Sequence, residues 1–287
     1  MVASVYQWLR FIEENYKDDI AFQYYRNAEV HQIRYAEFVN DIKRFVCYLQ
    51  KHEEMVEGKH FGILGRNSYH FLVCLYGVMA AGGVVVPLNI EESLDNINYQ
   101  IDFADISRIF SDGEYEKLEA DFGGKYSSML KKMDDYKSCN EYEELAESVD
   151  VEKLSMIMFT SGTTGRSKGV MMSQRNLFAP LKHFLETIYS AEGNITRDKA
   201  KVFLVVPLYH MSGIGCALTW NTNGSTLNIC ESPKYMYRDL RQMKSDSASV
   251  VPAILKMWSK DIKRGKSEKL GGIKNIACGA ATIDAQM

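Results

Sequence analysis

Apolar residues along the chain recur with two alternating periods, and this alternation predicts the order of helices and strands. Apolar residues at every third or fourth position form the stripe of an amphipathic helix. The first such stripe consists of Val5, Trp8, Leu9, Ile12 and Tyr16. Short apolar runs between turn residues predict buried strands, and strands that alternate with helices favour parallel βαβ units. The predicted helices are 4–16, 36–52, about 67–81, 93–104, 175–190, 234–244 and 252–264, and the predicted strands are 21–25, 32–35, 60–64, 84–86, 107–111, 154–160, 169–173, 201–206, 225–230, 248–251 and 273–278.

One uncharged stretch, residues 67–90, is long enough to cross a bilayer. Gly77, Gly82, Gly83 and Pro87 interrupt it, so a buried helix that turns into a buried strand fits better. The sequence therefore predicts no transmembrane segment. The amino-terminal residues carry charge every few positions, which is unlike a signal peptide. None of the six cysteines forms a C-x-x-C pair, which is typical of reduced thiols and predicts a cytoplasmic location.

Composition narrows the possible classes of protein. The 287 residues carry 34 Lys+Arg against 37 Asp+Glu, a formal net charge of −3, so the basic excess of a nucleic-acid-binding domain is lacking. The chain contains 17 Tyr, 13 Phe and 3 Trp, which excludes a disordered protein. Residues 112–150 differ from the rest because 17 of these 39 positions are charged. We interpret 112–152 as a charged connection or small subdomain within a single domain, residues 1–287.

The loop TSGTTGRSKG, residues 160–169, directly follows an apolar strand. Its glycines allow the backbone N–H groups to approach a ligand, its hydroxyls can donate to anionic oxygens, and its lysine adds a positive charge. This composition predicts a polyphosphate cradle. A Walker A loop is excluded because Ser167 precedes the lysine and Gly169 follows it. The alternative is a hairpin that binds nothing. The candidate phosphate-binding residues are Thr160, Ser161, Gly162, Thr163, Thr164, Gly165 and Lys168.

The run MIMFTSGTTGRSKGVMMSQRNL, residues 156–177, resembles the phosphate-binding signature of the adenylate-forming (AMP-binding) superfamily. This superfamily includes acyl-CoA synthetases, luciferases and the adenylation domains of peptide synthetases. Three further segments resemble family motifs in the same order: GVMAAGGVVVPLN at 77–89, VFLVVPLYHMSGI at 202–214 and IKNIACGAATI at 273–283.

The resemblance implies an α/β fold with parallel-rich sheets covered by helices, as in the large amino-terminal domain of these enzymes. It also implies that this domain is incomplete at the carboxy end and that the carboxy-terminal lid domain is absent. Family members carry further functional residues beyond the segment matching 273–283, among them a Glu that holds Mg²⁺. We therefore expect the 287-residue chain alone to be incomplete for turnover.

The family reaction is that of an ATP-dependent acid–thiol ligase, which forms an acyl-adenylate and pyrophosphate before coenzyme A displaces AMP. By resemblance, Lys168 and His210 are the catalytic candidates, and Gly279, Ala280 and Ala281 line the adenine. ATP, Mg²⁺ and coenzyme A are implied as co-substrates or cofactors, with a small carboxylic acid as partner and a carrier protein as the alternative acceptor. A buried histidine bonded to the backbone remains the alternative role of His210.

Two details of the sequence refine this interpretation. In peptide-synthetase adenylation domains, an Asp near the segment matching Tyr209-His210 holds the amino group, and no acidic residue lies within 199–230 here. The resemblance therefore implies an uncharged pocket for a fatty, short-chain or aryl acid rather than an amino acid. Ser167 stands where the family usually has proline, which predicts a looser approach to Lys168. Two other functions stay open: a catalytically inert nucleotide- or acyl-binding fragment, and a P-loop kinase, which the neighbours of Lys168 disfavour.

Overall fold

The computed structural model describes residues 2–112, 124–140, 150–160, 166–181 and 199–279, together with residues 120, 142, 144, 145, 147 and 281. The helices are α1 (Val5–Tyr16), α2 (Tyr35–His52), α3 (Tyr69–Ala80), α4 (Leu94–Phe103), α5 (174–181), α6 (Met211–Thr222), α7 (Met236–Met243) and α8 (Pro252–Lys263). The strands are β1 (Ile20–Arg26), β2 (Glu29–Arg34), β3 (His60–Leu64), β4 (Val84–Leu88), β5 (Ile106–Ser111), β6 (Leu130–Lys132), β7 (Leu154–Thr160), β8 (Lys168–Ser173), β9 (Lys201–Leu204), β10 (Thr226–Ile229), β11 (Ser247–Val250) and β12 (Asn275–Cys278).

The described strands form two six-stranded sheets. The first has the order β12-β11-β9-β10-β1-β2 and the second the order β6-β5-β3-β4-β7-β8. Neighbouring strands run parallel except in two hairpins, β1–β2 and β7–β8, where they run antiparallel. The predicted parallel-rich α/β fold is therefore confirmed. The two hairpins lie at sheet edges, where antiparallel strands commonly join a parallel sheet.

Helices α1, α2 and α3 lie between the two sheets and form the main core with the inner face of each. Alternate residues of one strand show this layering. Val85 of β4 faces the central core, whereas its neighbours Val84 and Val86 face the outer side, which α4 covers with Ile97 and Ile101. Helices α7 and α8 cover the outer face of the first sheet. The inner strands of each sheet are thus buried on both faces, as a parallel sheet requires, whereas the strands β2, β8 and β12 at the sheet edges are partly exposed.

Helix α3 is apolar around its whole circumference and is buried between the sheets, as predicted for the uncharged stretch. Its Gly77 packs directly against Phe45 of α2, and a Cβ built on Gly77 would lie 2.4 Å from Phe45 Cδ1. Only a glycine permits this approach of the two helices. None of the described helices combines the length and the apolarity that crossing a membrane requires.

The substitution Gly77→Ala is expected to destabilise the fold by about 2 kcal/mol, because the new methyl group overpacks the contact with the fully buried Phe45 ring. Urea unfolding measures this change. The double variant Gly77→Ala/Phe45→Leu should lose less stability than the sum of the two single variants, since the smaller side chain makes room. Additive losses would contradict a steric cause.

Two segments differ from their predicted structure, and the described part of a third agrees with it. Helix α6 was not predicted, because its glycines and apolar residues give it little amphipathic pattern. In the charged segment 112–152, the structure contains β6 and a short 3-10 helix, Asp135–Ser138, whose Tyr136 is fully buried. Of the predicted helix 175–190, the described part is helical to residue 181, and the remainder lies outside the described residues.

Candidate functional site

A cleft of about 300 Å³ lies where the carboxyl ends of strands from both sheets meet. Strands β4 and β7 of the second sheet end at this cleft, and so does the segment that follows β9 of the first sheet. Ligands of open α/β sheets bind at such carboxyl ends. The polar residues that line the cleft are Asn89, Glu92, Gln100, Thr160, Ser167 and His210.

Thr160 and Lys168 face each other at the loop end of the β7–β8 hairpin. They form its terminal cross-strand pair, and Thr160 Oγ1 donates a hydrogen bond of 3.5 Å to the Lys168 carbonyl oxygen. Both residues are exposed, so a ligand can reach them. The cradle candidates between them, which lie outside the described residues, are Ser161, Gly162, Thr163, Thr164 and Gly165.

His210 lies across the cleft, on a tight turn that leads into α6. The His210 amide donates to the Pro207 carbonyl at 3.2 Å, and the Gly213 amide donates to the His210 carbonyl at 3.0 Å. Asn67, which follows β3 and is buried, holds the segment before this turn. Its Nδ2 donates to the Val206 carbonyl and its Oδ1 accepts from the Leu208 amide, at 3.0 and 2.8 Å. Asn67 therefore ties the turn of one sheet to the strand end of the other.

The imidazole of His210 is free to act on a ligand. The residue is exposed, and its ring has no hydrogen-bond partner among the described residues, so the alternative of a buried, backbone-bonded histidine is wrong. Partial desolvation lowers the pKa of His210, and the negative charge of Glu92 acts in the opposite direction. The lowered pKa favours the neutral ring, which can donate from one nitrogen and accept at the other.

Titration of His210 by nuclear magnetic resonance should show a pKa below the ordinary histidine value. Glu92→Gln should lower this pKa further, because it removes the negative charge that favours the protonated ring. Glu91→Gln is the control, since the Glu91 charge acts on Tyr209 instead. A His210 pKa that rises in Glu92→Gln, or that moves equally in both variants, would contradict this account of the cleft.

Ser167 does not loosen the approach to Lys168 in the predicted way. Its side chain is buried, and its hydroxyl accepts hydrogen bonds from Asn96 Nδ2 at 3.0 Å and Gln100 Nε2 at 3.2 Å. These contacts hold the backbone just before Lys168, and they compensate for the fixed φ that proline would provide. Because both partners are about 70 residues earlier in the chain, at separations of 71 and 67, no local pattern indicates them.

Glu92 is a cleft residue that sequence reasoning missed. The uncharged pocket was predicted from residues 199–230, whereas Glu92 enters the cleft from the segment after β4. Its Oε2 accepts a hydrogen bond of 2.7 Å from Asn96 Nδ2. The cleft therefore contains a carboxylate, although it is already engaged by a neighbouring amide.

The adenine candidates lie apart from the cleft lining. Gly279 follows β12 at the edge of the first sheet, where its amide donates to the Val250 carbonyl, and Ala281 is exposed. Neither is among the described residues that line the cleft, and Ala280 lies outside the described residues. Within the described part of the chain, no three His, Cys, Asp or Glu side chains gather into a possible metal site.

Comparison with known proteins agrees with the fold. The inhibitor-bound N-terminal domain of FACL13 from Mycobacterium tuberculosis superposes with a TM-score of 0.82 at 17% identity, covering 99% of this chain and 71% of that one. The o-succinylbenzoate coenzyme A synthetase (MenE) from Bacillus subtilis, in complex with AMP, superposes with a TM-score of 0.74 at 20% identity, covering 95% and 67%. The shared architecture is that of the N-terminal domain of adenylate-forming enzymes.

Sequence similarity extends over the same region. A 2-succinylbenzoate–CoA ligase from Bacillus licheniformis is 23% identical over 237 residues, which cover 82% of this chain and 48% of that enzyme. The chain thus spans about half the length of this relative. The sequence profile of the family described as AMP-binding enzyme matches residues 10–287. The chain therefore belongs to the AMP-binding, adenylate-forming enzyme family.

Proposed function

We propose that the protein is an ATP-dependent acid–thiol ligase that activates a fatty or aryl carboxylic acid. One oxygen of the carboxylate attacks the α-phosphorus of ATP, giving an acyl-adenylate and releasing pyrophosphate. The thiol of coenzyme A then attacks the acyl carbon and displaces AMP. The observation that carries this proposal is the cleft itself, which has the end of the β7–β8 hairpin on one side and His210 on the other.

Positioning and charge neutralisation supply most of the catalysis in such a phosphoryl-group reaction. Lys168, as an exposed ammonium, binds the β- and γ-phosphates together with the Thr160 hydroxyl and the loop 161–165. His210, as a neutral imidazole, donates a hydrogen bond to the substrate carboxylate. Mg²⁺ enters with ATP as part of the substrate.

The lining of the cleft supports an acid without an amino group. Much of this lining is apolar, from Pro87, Met158, Phe159, Tyr209 and Met211. The carboxylate among the described lining residues, Glu92, accepts one hydrogen bond from Asn96 Nδ2 and keeps its negative charge, so the support for such an acid comes from the apolar residues. Coenzyme A is the proposed acceptor, because the relative described above is a CoA ligase; a carrier protein is the alternative acceptor.

ATP–pyrophosphate exchange by the full natural protein tests the proposal, since the 287-residue chain alone is expected to be incomplete for turnover. Fatty acids of increasing chain length, benzoic acids and α-amino acids are supplied one at a time. We expect exchange with one of the first two groups and none with amino acids. Exchange with amino acids alone would reassign the substrate class. ATP binding without exchange for any acid would favour the inert nucleotide-binding protein, and formation of ADP would favour a kinase.

A further inference from the structure

One face of α4 contacts the loop end of the β7–β8 hairpin. Asn96, Tyr99, Gln100 and Phe103 follow the spacing of a single helix face. Phe103 packs edge-on against Phe159 of β7, with ring centroids 6.2 Å apart. At the other end of this face, the contacts reach the two residues that directly precede Lys168.

Arg166 and Ser167 are both held by this helix face. The Arg166 guanidinium lies over the Tyr99 ring, with its Cζ 4.9 Å from the ring centroid, and the Ser167 hydroxyl is bonded to Asn96 and Gln100. The β7–β8 ladder ends at the Thr160–Lys168 pair. Ser167 is thus the first residue beyond the ladder, where the sheet no longer fixes the backbone and α4 does.

The burial of these groups makes the contact selective for a hydroxyl. Ser167 is 8% exposed and Gln100 is 2% exposed. Without the hydroxyl, the Gln100 Nε2 donor would be left without its partner in a buried site, which is costly. Asn96 would keep its hydrogen bond to Glu92. The arrangement therefore favours one position of the Ser167 backbone.

We propose that Asn96 and Gln100 position Lys168 through the hydroxyl of Ser167, so that α4 fixes where the lysine meets the phosphates of ATP. The three residues act as positioning residues for Lys168, and Gln100 and Ser167 also line the cleft. This inference rests on the proposed function, because it requires Lys168 to bind ATP. It adds that the affinity of the site for ATP depends on a helix outside the nucleotide loop.

Calorimetric binding of Mg·ATP to the intact protein tests this inference with a set of four variants. Ser167→Ala should raise the Kd for ATP about tenfold, the effect of losing one buried hydrogen bond. The double variant Ser167→Ala/Lys168→Ala should bind no more weakly than Lys168→Ala alone. Ser155→Ala is the matched control, because Ser155 lies buried on β7 and its hydroxyl has no partner among the described residues. Thermal unfolding confirms that each variant is folded at the temperature of the titration.

Non-additivity is the readout that a merely structural role would not produce. If Ser167→Ala binds ATP like the wild type, or if its effect adds to that of Lys168→Ala, the positioning role is overturned. If Lys168→Ala changes the Kd while Ser167→Ala does not, only this inference fails. If Lys168→Ala leaves the Kd unchanged, the role of the lysine in the proposed function fails as well.

Discussion

The substitution Lys168→Ala is expected to lower the rate of ATP–pyrophosphate exchange by about 100-fold or more, because in the proposed mechanism it removes the positive charge that neutralises the phosphates. The side chain is exposed, and the backbone of Lys168 is held by its pairing with Thr160. The thermal midpoint should therefore stay at the wild-type value. Exchange kinetics and thermal unfolding on the same preparation separate loss of function from loss of fold.

The matched control for this variant is Lys201→Ala. Lys201 is likewise exposed and begins a strand, β9, of the other sheet. We expect its exchange rate to be unchanged. An equal loss in both variants would indicate a general effect of charge, and a wild-type rate in Lys168→Ala would remove the β7–β8 loop from the mechanism.

The substitution Gly213→Ala is expected to destabilise the protein by about 3 kcal/mol or more, because the new side chain would collide with backbone that cannot move aside. A Cβ on Gly213 would lie 2.1 Å from the Pro207 carbonyl oxygen and 2.6 Å from its carbonyl carbon. This contact closes the turn that carries His210, so any folded fraction should also lose exchange activity. Urea unfolding followed by exchange kinetics measures both effects.

Gly215, two residues further along α6, provides the control. A Cβ there would meet only Met211 Cε, at 4.0 Å. Gly215→Ala should leave stability unchanged or raise it by up to about 1 kcal/mol, since alanine favours a helix more than glycine does. Equal destabilisation by both variants would show that alanine lowers the stability of α6 at either position, and would contradict the steric role of Gly213.

Much of the fold could be predicted because its inner strands are buried on both faces and most of its helices are amphipathic. The runs that became β3, β4 and β7 are mostly apolar, and α1 and α2 carry clear stripes. Prediction failed where the apolar and polar positions do not separate clearly along the sequence. Helix α6 is apolar on several sides, so it shows no clear stripe. Strand β6 lies in a charged segment, and its three residues form a strand by pairing with β5.

Only those parts of the candidate site that form short continuous stretches of sequence could be predicted. The composition of residues 160–169 indicated a phosphate-binding loop, and the PLYH segment indicated His210 by resemblance. Glu92 and Gln100 were missed because each reaches the cleft from a distant segment, and their types carry no signal by themselves. Ser167 was recognised as unusual, yet its effect depends on two amides of α4 that only the folded chain brings near.

The central claim is that the cleft joins a carboxylate to the α-phosphorus of ATP. Isotope transfer tests this most directly. The intact protein is given Mg·ATP, coenzyme A and the acid that supports the fastest exchange, with both carboxylate oxygens labelled with ¹⁸O. If the carboxylate attacks the α-phosphorus, mass spectrometry will find one ¹⁸O in each AMP released, and Lys168→Ala will form this product more slowly. Unlabelled AMP, or ADP in its place, would contradict the account.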